Sequence, residues 1–362
     1  MKSLRMTFTT VVGACLIAGM AANLSCQPRS MYGYDIQKLF AESDLVIIGT
    51  AEKTETLREW SAPAPRGVPS ESMGMETVST LVRVEKTYKG SCDEIVDVRF
   101  DVSVSASSAN PGPALYQGER SLLFLKASRN ETYYFADRLW GKLSVDGISL
   151  TASGSGPDAL EHDLNRTLSG GDAGNANAFR LLMGYKEVSL STESTLSRLA
   201  AQSDPDTAMQ AFSIMLASGQ PRYFADALQF LRASGNCVKP LELLTLSGRI
   251  REFGIHADPL TIVGFSDLPF FAIQYAALDV LMEMKSPMTA EAVVRHFDDP
   301  DPEIQYQSLY VLREIVDKPG QRRGPEYSPS KPEFDKDPKH YTGLWKTLLE
   351  KEGETEFPRR NQ

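Results

Sequence analysis

Asp267–Glu283 and Asp298–Glu314 carry the same sequence pattern at a shift of 31 residues, with nine of 17 positions identical. Ile-Gln-Tyr stands at 273–275 and again at 304–306, and Leu, Val and Leu follow at the same spacing in both copies. A fixed offset of this size is typical of helical pairs that stack on one another. Because stacked helices form scaffolds and binding surfaces, the repeat predicts an architecture and leaves the ligand open.

Each copy places its apolar residues on one helical face, at i, i+4, i+7, i+8 and i+11. The turns 267–269 and 298–302 predict the two helix starts, because Asp accepts backbone N–H bonds there and Pro cannot extend a preceding helix. The predicted buried stripes are Ile273, Ala277, Val280, Leu281 and Met284 in the first copy, and Ile304, Ser308, Val311, Leu312 and Ile315 in the second.

The rest of the second half also has helical periodicity. Its longer predicted helices are Tyr223–Leu231, Leu241–Arg251, Phe271–Met284, Thr289–Phe297, Pro302–Val316 and Tyr341–Lys351. The stretch 297–312 resembles the inter-helix turn and second helix of HEAT-like repeats, with Gln305 where that family usually has Arg. The closing stretch 332–345 is similar to a cap that follows such repeats in exported bacterial proteins. The resemblance implies a HEAT-like α-solenoid over residues 188–352.

The first half alternates in the manner of strands. The predicted strands are Asp44–Ala51, Glu76–Lys89, Glu94–Val104, Ser121–Leu125, Thr132–Phe135 and Lys142–Val145, after a short helix at Tyr34–Ala41. Strands without helices between them predict an antiparallel barrel or sandwich, so the expected fold class is α+β with two domains. Two long connections, Trp60–Pro69 and Ser105–Pro113, are rich in Pro and small residues and are predicted to be mobile surface loops.

Three stretches of this half carry a further pattern: Ser43–Ala51, Val82–Gly90 and Gly118–Leu125. They resemble strands of the netrin-like family, which includes the tissue inhibitors of metalloproteinases. The resemblance implies a five-stranded OB-type barrel over residues 31–146. The resemblance does not imply protease inhibition. Those inhibitors use a Cys-X-Cys pair near the mature N-terminus, whereas here Cys26 is followed by Gln27 and Pro28.

Met1–Cys26 has the three parts of a secretory signal peptide. Lys2 and Arg5 precede the apolar run Val11–Ala22, which is too short to span a bilayer. Small residues then permit cleavage, so the sequence predicts export to the periplasm, the cell envelope or the outside. Cys26 lies where a bacterial lipoprotein would carry its lipid, and both a lipid-anchored and a freely soluble product remain open.

Between the halves, Gly147–Asn177 is rich in Gly, Ser, Asn and Asp and is predicted to be a linker with one helix, Pro157–Leu168. The predicted organisation is a signal peptide at 1–26, a barrel at 31–146, a linker at 147–187 and a helical domain with its cap at 188–352. Cys92 and Cys237 fall in different halves, where a bridge is possible and two buried free thiols are favoured.

The charge excludes one class of partner. Without the first 26 residues the chain has 36 basic and 47 acidic groups, a net charge of −11, and so it lacks the electrostatic footprint of a nucleic-acid-binding protein. The same balance offers no polybasic face for a membrane, which leaves the N-terminal lipid as the only predicted membrane contact.

The usual signatures of catalysis and of metal binding do not occur. The four histidines are scattered and are predicted to be surface or packing residues: His162, His256, His296 and His340. The acidic run 298–303 lacks the Gly and the spaced ligands of a calcium loop, so helix capping is favoured. No cofactor, metal site or catalytic residue is predicted.

The sequence therefore predicts an exported, non-enzymatic protein for binding or assembly with a protein partner at the cell envelope. The candidate binding residues are Trp60 in its loop, and Tyr275 and Tyr306 on the helical repeats. Two alternatives stay open: an inhibitor of an extracellular metalloprotease, and an enzyme whose residues converge only in three dimensions.

Overall fold

The computed structural model describes residues 34–63, 72–103, 114–128, 132–137, 140–170, 175–317 and 324–356. The predicted signal peptide, Cys26 and the predicted loop 105–113 lie outside these ranges. The described chain is α+β, as the sequence predicts: a short helix and six strands are followed by twelve further α-helices. No helix in these ranges is both long and apolar enough to cross a bilayer.

One sheet contains all six strands, which are β1 (Leu45–Pro63), β2 (Ser72–Lys89), β3 (Ile95–Ser103), β4 (Arg120–Ala127), β5 (Thr132–Phe135) and β6 (Lys142–Ser144). Their order is β1-β2-β3-β5-β4-β6, and β4 also pairs with β1, so the first five strands close into a ring. The β3–β5 pair is parallel, which makes the sheet mixed and the purely antiparallel prediction wrong at this pair. A ring with an odd number of strands cannot alternate in direction all the way round, so one pair must be parallel.

The strands β1 and β4 carry unbroken apolar runs because both of their faces are buried. Leu45 and Ile47 belong to the core inside the ring, whereas Val46 and Ile48 belong to the core that the sheet shares with the helices. The residues of β4 from 122 to 125 divide in the same way. The sheet therefore separates two apolar cores, one on each of its faces.

β1 continues well beyond the predicted strand Asp44–Ala51. It pairs with β4 only as far as Thr50, and with β2 as far as Pro63. Residues 52–59 are exposed, so this part of the strand shows no apolar alternation in the sequence. Trp60 lies in β1 opposite Met75, and its predicted placement in a mobile loop is wrong.

The helices are α1 (Ile36–Glu42), α2 (Pro157–Ser169), α3 (Ala176–Leu182), α4 (Leu190–Gln202), α5 (Pro205–Met215), α6 (Pro221–Ser234), α7 (Pro240–Phe253), α8 (Pro259–Ser266), α9 (Phe271–Met284), α10 (Ala290–Arg295), α11 (Pro302–Val316), α12 (Lys331–Phe334) and α13 (Pro338–Glu356). From α5 onward every second helix packs on the next, in the order α5, α7, α9 and α11. The two repeat copies thus form neighbouring helices, α9 and α11.

The predicted buried stripes of the repeat are confirmed. Ile273 on α9 and Ile304 on α11 are both fully buried. The next three stripe positions of each helix are also buried, and only the last, Met284 and Ile315, is half-buried. The repeated pattern thus marks the residues that each helix buries against its neighbours.

The predicted Asp caps are correct in one copy and wrong in the other. Asp301 caps α11 and accepts a hydrogen bond from the backbone N–H of Glu303 at 2.8 Å. Asp267 does not cap α9, whose N-cap residue is Phe270. It instead accepts a hydrogen bond from Arg295 at 3.3 Å, because α9 begins four residues after Asp267 and leaves that side chain to the neighbouring helical pair.

A buried carboxylate joins the sheet to the helical half. Asp163 on α2 is fully buried and accepts hydrogen bonds from the backbone N–H groups of Thr151 and Ala152, at 2.7 and 2.6 Å. On its other side it accepts from the Tyr88 hydroxyl of β2 at 2.7 Å and pairs with the Lys86 ammonium. Burial alone would raise the pKa of Asp163, but these hydrogen bonds hold it below its ordinary value.

Residues 147–187 contain more structure than the one predicted helix. The predicted helix is confirmed as α2, and Leu160, Leu164 and Leu168 are buried in the core shared with the sheet. A second helix, α3, follows before the repeats begin. Cys92 and Cys237 are free, but the expectation of two buried thiols is wrong, because Cys92 is half-buried and Cys237 is exposed.

The Asp163→Asn variant is expected to lose about 3 kcal/mol of unfolding free energy, because it leaves the nearly buried Lys86 ammonium without a counter-charge and turns an amide N–H group toward it. Urea denaturation followed by circular dichroism measures the loss. Glu55→Gln, which removes the exposed Lys53–Glu55 pair, is the control and leaves the unfolding midpoint unchanged. Equal midpoints for the two variants would contradict the role given to Asp163.

Candidate functional site

Tyr275 and Tyr306 occupy equivalent positions on α9 and α11, one repeat apart. Both rings are half-buried, so each presents an edge to solvent. Polar side chains link the helices on this side: Arg251 of α7 pairs with Asp279 of α9 at 2.7 Å, and Gln307 of α11 donates to the same carboxylate at 2.6 Å. The structure thus brings the two predicted tyrosines onto one connected surface.

Tyr306 is covered by a later part of the chain, Ser328–Phe334, which we call the strap. The Tyr306 hydroxyl donates to the carbonyl oxygen of Pro329 at 3.4 Å. The ammonium of Lys331 lies 5.5 Å from the centre of the Tyr306 ring, and the Phe334 ring lies 5.3 Å from it. One tyrosine of the pair therefore already contacts a later part of the chain, namely the turn 328–330 and helix α12.

Helix α11 holds the strap through two further polar contacts. Lys331 of the strap pairs with Glu303 at 2.9 Å, and Arg313 donates to the Ser328 hydroxyl. Each contact joins a residue one turn or two turns from Tyr306 to a residue of the strap. The strap is thus fixed at both of its ends over the tyrosine.

Tyr275 has a different environment from Tyr306. Its ring packs 5.8 Å from that of Phe271 on its own helix, and the Arg251 guanidinium lies 5.8 Å from the ring centre. Its hydroxyl has no hydrogen-bond partner among the described residues. Burial and the nearby Asp279 carboxylate raise the pKa of Tyr275, so the phenol stays a hydrogen-bond donor at neutral pH.

The half-buried Asp279 carboxylate helps to position this surface. Burial raises its pKa above the ordinary value, and the opposing effects of Arg251 and Gln307 do not fully offset that rise. Because Asp279 binds both neighbours, it fixes the Arg251 guanidinium beside Tyr275. Sequence reasoning missed Arg251 and the strap, since neither lies near the tyrosines in sequence.

Trp60 lies apart from the tyrosines, at the far end of β1 in the sheet. Its ring is half-buried, and the Arg58 guanidinium lies 5.8 Å from the ring centre. Its indole nitrogen is buried and has no hydrogen-bond partner in the described part of the chain. The structure thus places the predicted binding residues on two separate elements.

One cluster has the residue types of a serine hydrolase. His296 Nε2 lies 2.9 Å from the Ser266 hydroxyl, and the carboxylates of Asp267 and Asp299 lie 3.7 and 3.9 Å from the imidazole nitrogens. The Ser266 hydroxyl donates its proton to the carbonyl of Val263 at 2.8 Å, so the imidazole donates to the serine rather than accepting from it. Ser266 is fully buried, which keeps it from a substrate.

The acidic side chains of the run 298–303 make structural contacts within the helical half. Asp299 accepts a hydrogen bond from the Asp301 backbone N–H at 2.9 Å, and Asp298 pairs with Lys346 of α13 at 2.8 Å. Within the described ranges, no group of three or more His, Cys, Asp or Glu side chains could hold a metal ion. His162, His256 and His340 are exposed and His296 is buried, in agreement with their prediction as surface or packing residues.

A shallow cleft of about 290 Å³ lies between the chain after α3 and helices α4 to α6. Val188, Ile214 and Met215 contribute its apolar wall. Of its two carboxylates, Glu193 accepts from the Tyr223 hydroxyl and pairs with Arg222, whereas Glu187 is exposed.

Comparison with known proteins adds no function to this geometry, since no family model matches the chain and no curated protein matches it. The site is therefore assigned on its contacts alone. Among the described surfaces, the tyrosine face combines exposed aromatic edges, an accessible guanidinium and an unpaired phenol.

Stability is expected to fall between pH 7.5 and 5.5 because of His296. Burial lowers the pKa of His296, and the opposing charges of Asp267 and Asp299 do not restore it. The unfolded chain therefore binds a proton first as the pH falls below about 6.5, and folding stability is lost from there down to the lower folded pKa. Urea midpoints at the two pH values measure this loss.

In His296→Gln that pH dependence should become weaker, whereas His340→Gln, at an exposed position, should keep the full wild-type loss. An identical loss in wild type and His296→Gln would show that the buried imidazole is not responsible.

Proposed function

We propose that this chain is an exported, non-enzymatic protein that binds a protein partner at the cell envelope, with Tyr275 at the centre of the binding face. The supporting observation is the contrast between two equivalent tyrosines. Tyr306 is covered by the strap, while the Tyr275 hydroxyl has no partner in the described chain. Tyr and Arg are among the residues enriched at the energetic centres of protein interfaces, and Arg251 lies beside Tyr275.

The fold assignment in finer detail is part of the same proposal. The closed ring of five strands supports a netrin-like OB-type barrel, since closure removes the sheet edges. The successive packing of α5, α7, α9 and α11 supports a HEAT-like α-solenoid, in which each helical pair contacts its neighbours. Both assignments agree with a binding protein, because such folds present extended surfaces.

Export is supported by the N-terminal sequence, which lies outside the described residues. Lys2, Arg5 and the apolar run Val11–Ala22 are the basis for it. Lipid attachment at Cys26 would add a membrane anchor to the exported protein, and a firm one where several acyl chains are attached. A protein partner at the envelope fits either form of the product.

Tyr275→Ala is expected to weaken partner binding by about 2 kcal/mol, or roughly 30-fold, because it removes an interface aromatic and its hydrogen bond. The mature chain, immobilised and exposed to envelope extract, captures partners that mass spectrometry quantifies. The supporting result is the loss of the same specific proteins in Tyr275→Ala and their retention in Tyr310→Ala. Tyr310 is a matched control, because it is an exposed tyrosine on the adjoining helix α11.

Trp60→Ala tests the alternative that the partner binds at the sheet. Capture that is lost in Trp60→Ala and kept in Tyr275→Ala would overturn the assignment to the helical face. Urea denaturation of every variant verifies that a loss of capture does not reflect unfolding.

A further inference from the structure

The far part of β1 has a strand partner on one side only. It pairs with β2 as far as Pro63, whereas its pairing with β4 ends at Thr50, so no described strand pairs with residues 52–63 on their second side. At about 3.3 Å per residue, this free edge is about 40 Å long. The backbone N–H and C=O groups along such an edge are a template for the addition of another strand.

Four side chains form a row on one face of this edge. Residues opposite each other in an antiparallel pair share a face, and alternate residues of a strand lie on the same face. The residues of β1 that lie opposite the alternate positions 81, 79, 77 and 75 of β2 are Lys53, Glu55, Arg58 and Trp60. The row stays on one face because the strand has a bulge at Leu57, which has no counterpart in β2.

This row is complementary to its own reverse. In an antiparallel pair of two copies, with the twofold axis next to Leu57, Glu55 lies opposite Arg58 of the second copy, and Lys53 lies opposite Trp60 of the second copy. Each contact occurs twice, and both are favourable, since one joins opposite charges on facing strands and the other places a cation at an indole ring. Leu57, which is 45% exposed in the single chain, is covered by the second strand.

The charges also select this register. Sliding the second strand by one residue places the row opposite the other face of that strand. Sliding it by two residues places Lys53 opposite Arg58 in one direction, and leaves no opposite charges facing each other in the other direction. A bulge and charged side chains can protect an edge from pairing, but here opposite charges meet in one register, so the charges favour a specific pair.

We propose that the free edge of β1 is a dimer interface, at which a second copy of this chain adds its own β1 in antiparallel orientation. Here β2 also pairs with β3, so the two three-stranded parts become one continuous sheet of six strands. The facing side chains are mostly polar, so the dimer forms and dissociates with concentration rather than being obligate. This inference goes beyond the proposed function, because Tyr275 lies in the helical half.

Charge exchange across the interface tests the inference. Sedimentation velocity of the full mature chain, from micromolar to submillimolar concentrations, measures the dissociation constant of the dimer. Glu55→Lys and Arg58→Glu each replace two ion pairs with two contacts between like charges, and each should raise this constant by roughly tenfold or more. The double variant Glu55→Lys/Arg58→Glu makes the facing charges opposite again and should restore the wild-type dimer.

Glu59→Lys is the matched control, because it makes the same change of charge on the other face of the same strand. Glu59 lies opposite Glu76 of β2 and, in the dimer, opposite Thr54 of the second copy, so this variant should leave the dissociation constant unchanged. Tyr275→Ala should leave it unchanged as well. Urea denaturation of each variant verifies that a weaker dimer does not reflect unfolding.

A chain that stays monomeric over the whole concentration series would overturn the inference, whatever other protein then binds at this edge. An effect of Glu59→Lys as large as that of Glu55→Lys would also overturn it, as would a double variant that dimerises no better than the single variants. None of these results changes the expected loss of partner capture in Tyr275→Ala, so the dimer and the proposed function are tested separately.

Discussion

The structure depends on one buried carboxylate, Asp163, at the junction of sheet and helices. Its two oxygens accept from two backbone N–H groups of the chain that leaves the sheet, and from Tyr88 and Lys86 of β2. Such a group is costly to bury unless every lone pair is matched, so the arrangement fixes where α2 lies against the sheet. The apolar core shared by the sheet and the helices then extends from this junction through the repeats.

Beyond α2, each helical pair is joined to the next by polar contacts between residues about one repeat apart. Gln210 donates to Glu242, Arg251 pairs with Asp279, and Lys285 pairs with Glu314. The buried stripes supply the attraction between neighbouring helices, and these contacts select the register in which they pack. Because the register repeats, equivalent residues such as Tyr275 and Tyr306 come to the same side of the stack.

Much of the architecture was predictable from the sequence. The stripe that begins at Ile273 recurs at Ile304, and its helical spacing identified both the helices and the residues they bury. The sequence pattern also predicted strands of the ring, through alternating apolar residues in β3 and through the apolar run in β1. The distal half of β1 was not predictable, because it is exposed on both sides and paired with β2. Nor was the parallel β3–β5 pair, which follows from the closure of an odd-numbered ring.

The sequence by itself determined the succession of strands and helices and the identity of most core residues, since both follow from local periodicity and apolar burial. Only the tertiary structure decided which polar groups meet. Lys86 reaches Asp163 across 77 residues, Arg251 reaches Tyr275 from another helix, and the strap folds back over Tyr306. These contacts depend on chain direction and on helix packing, which short-range periodicity in the sequence does not encode. For that reason, only the tertiary structure identified the candidate site.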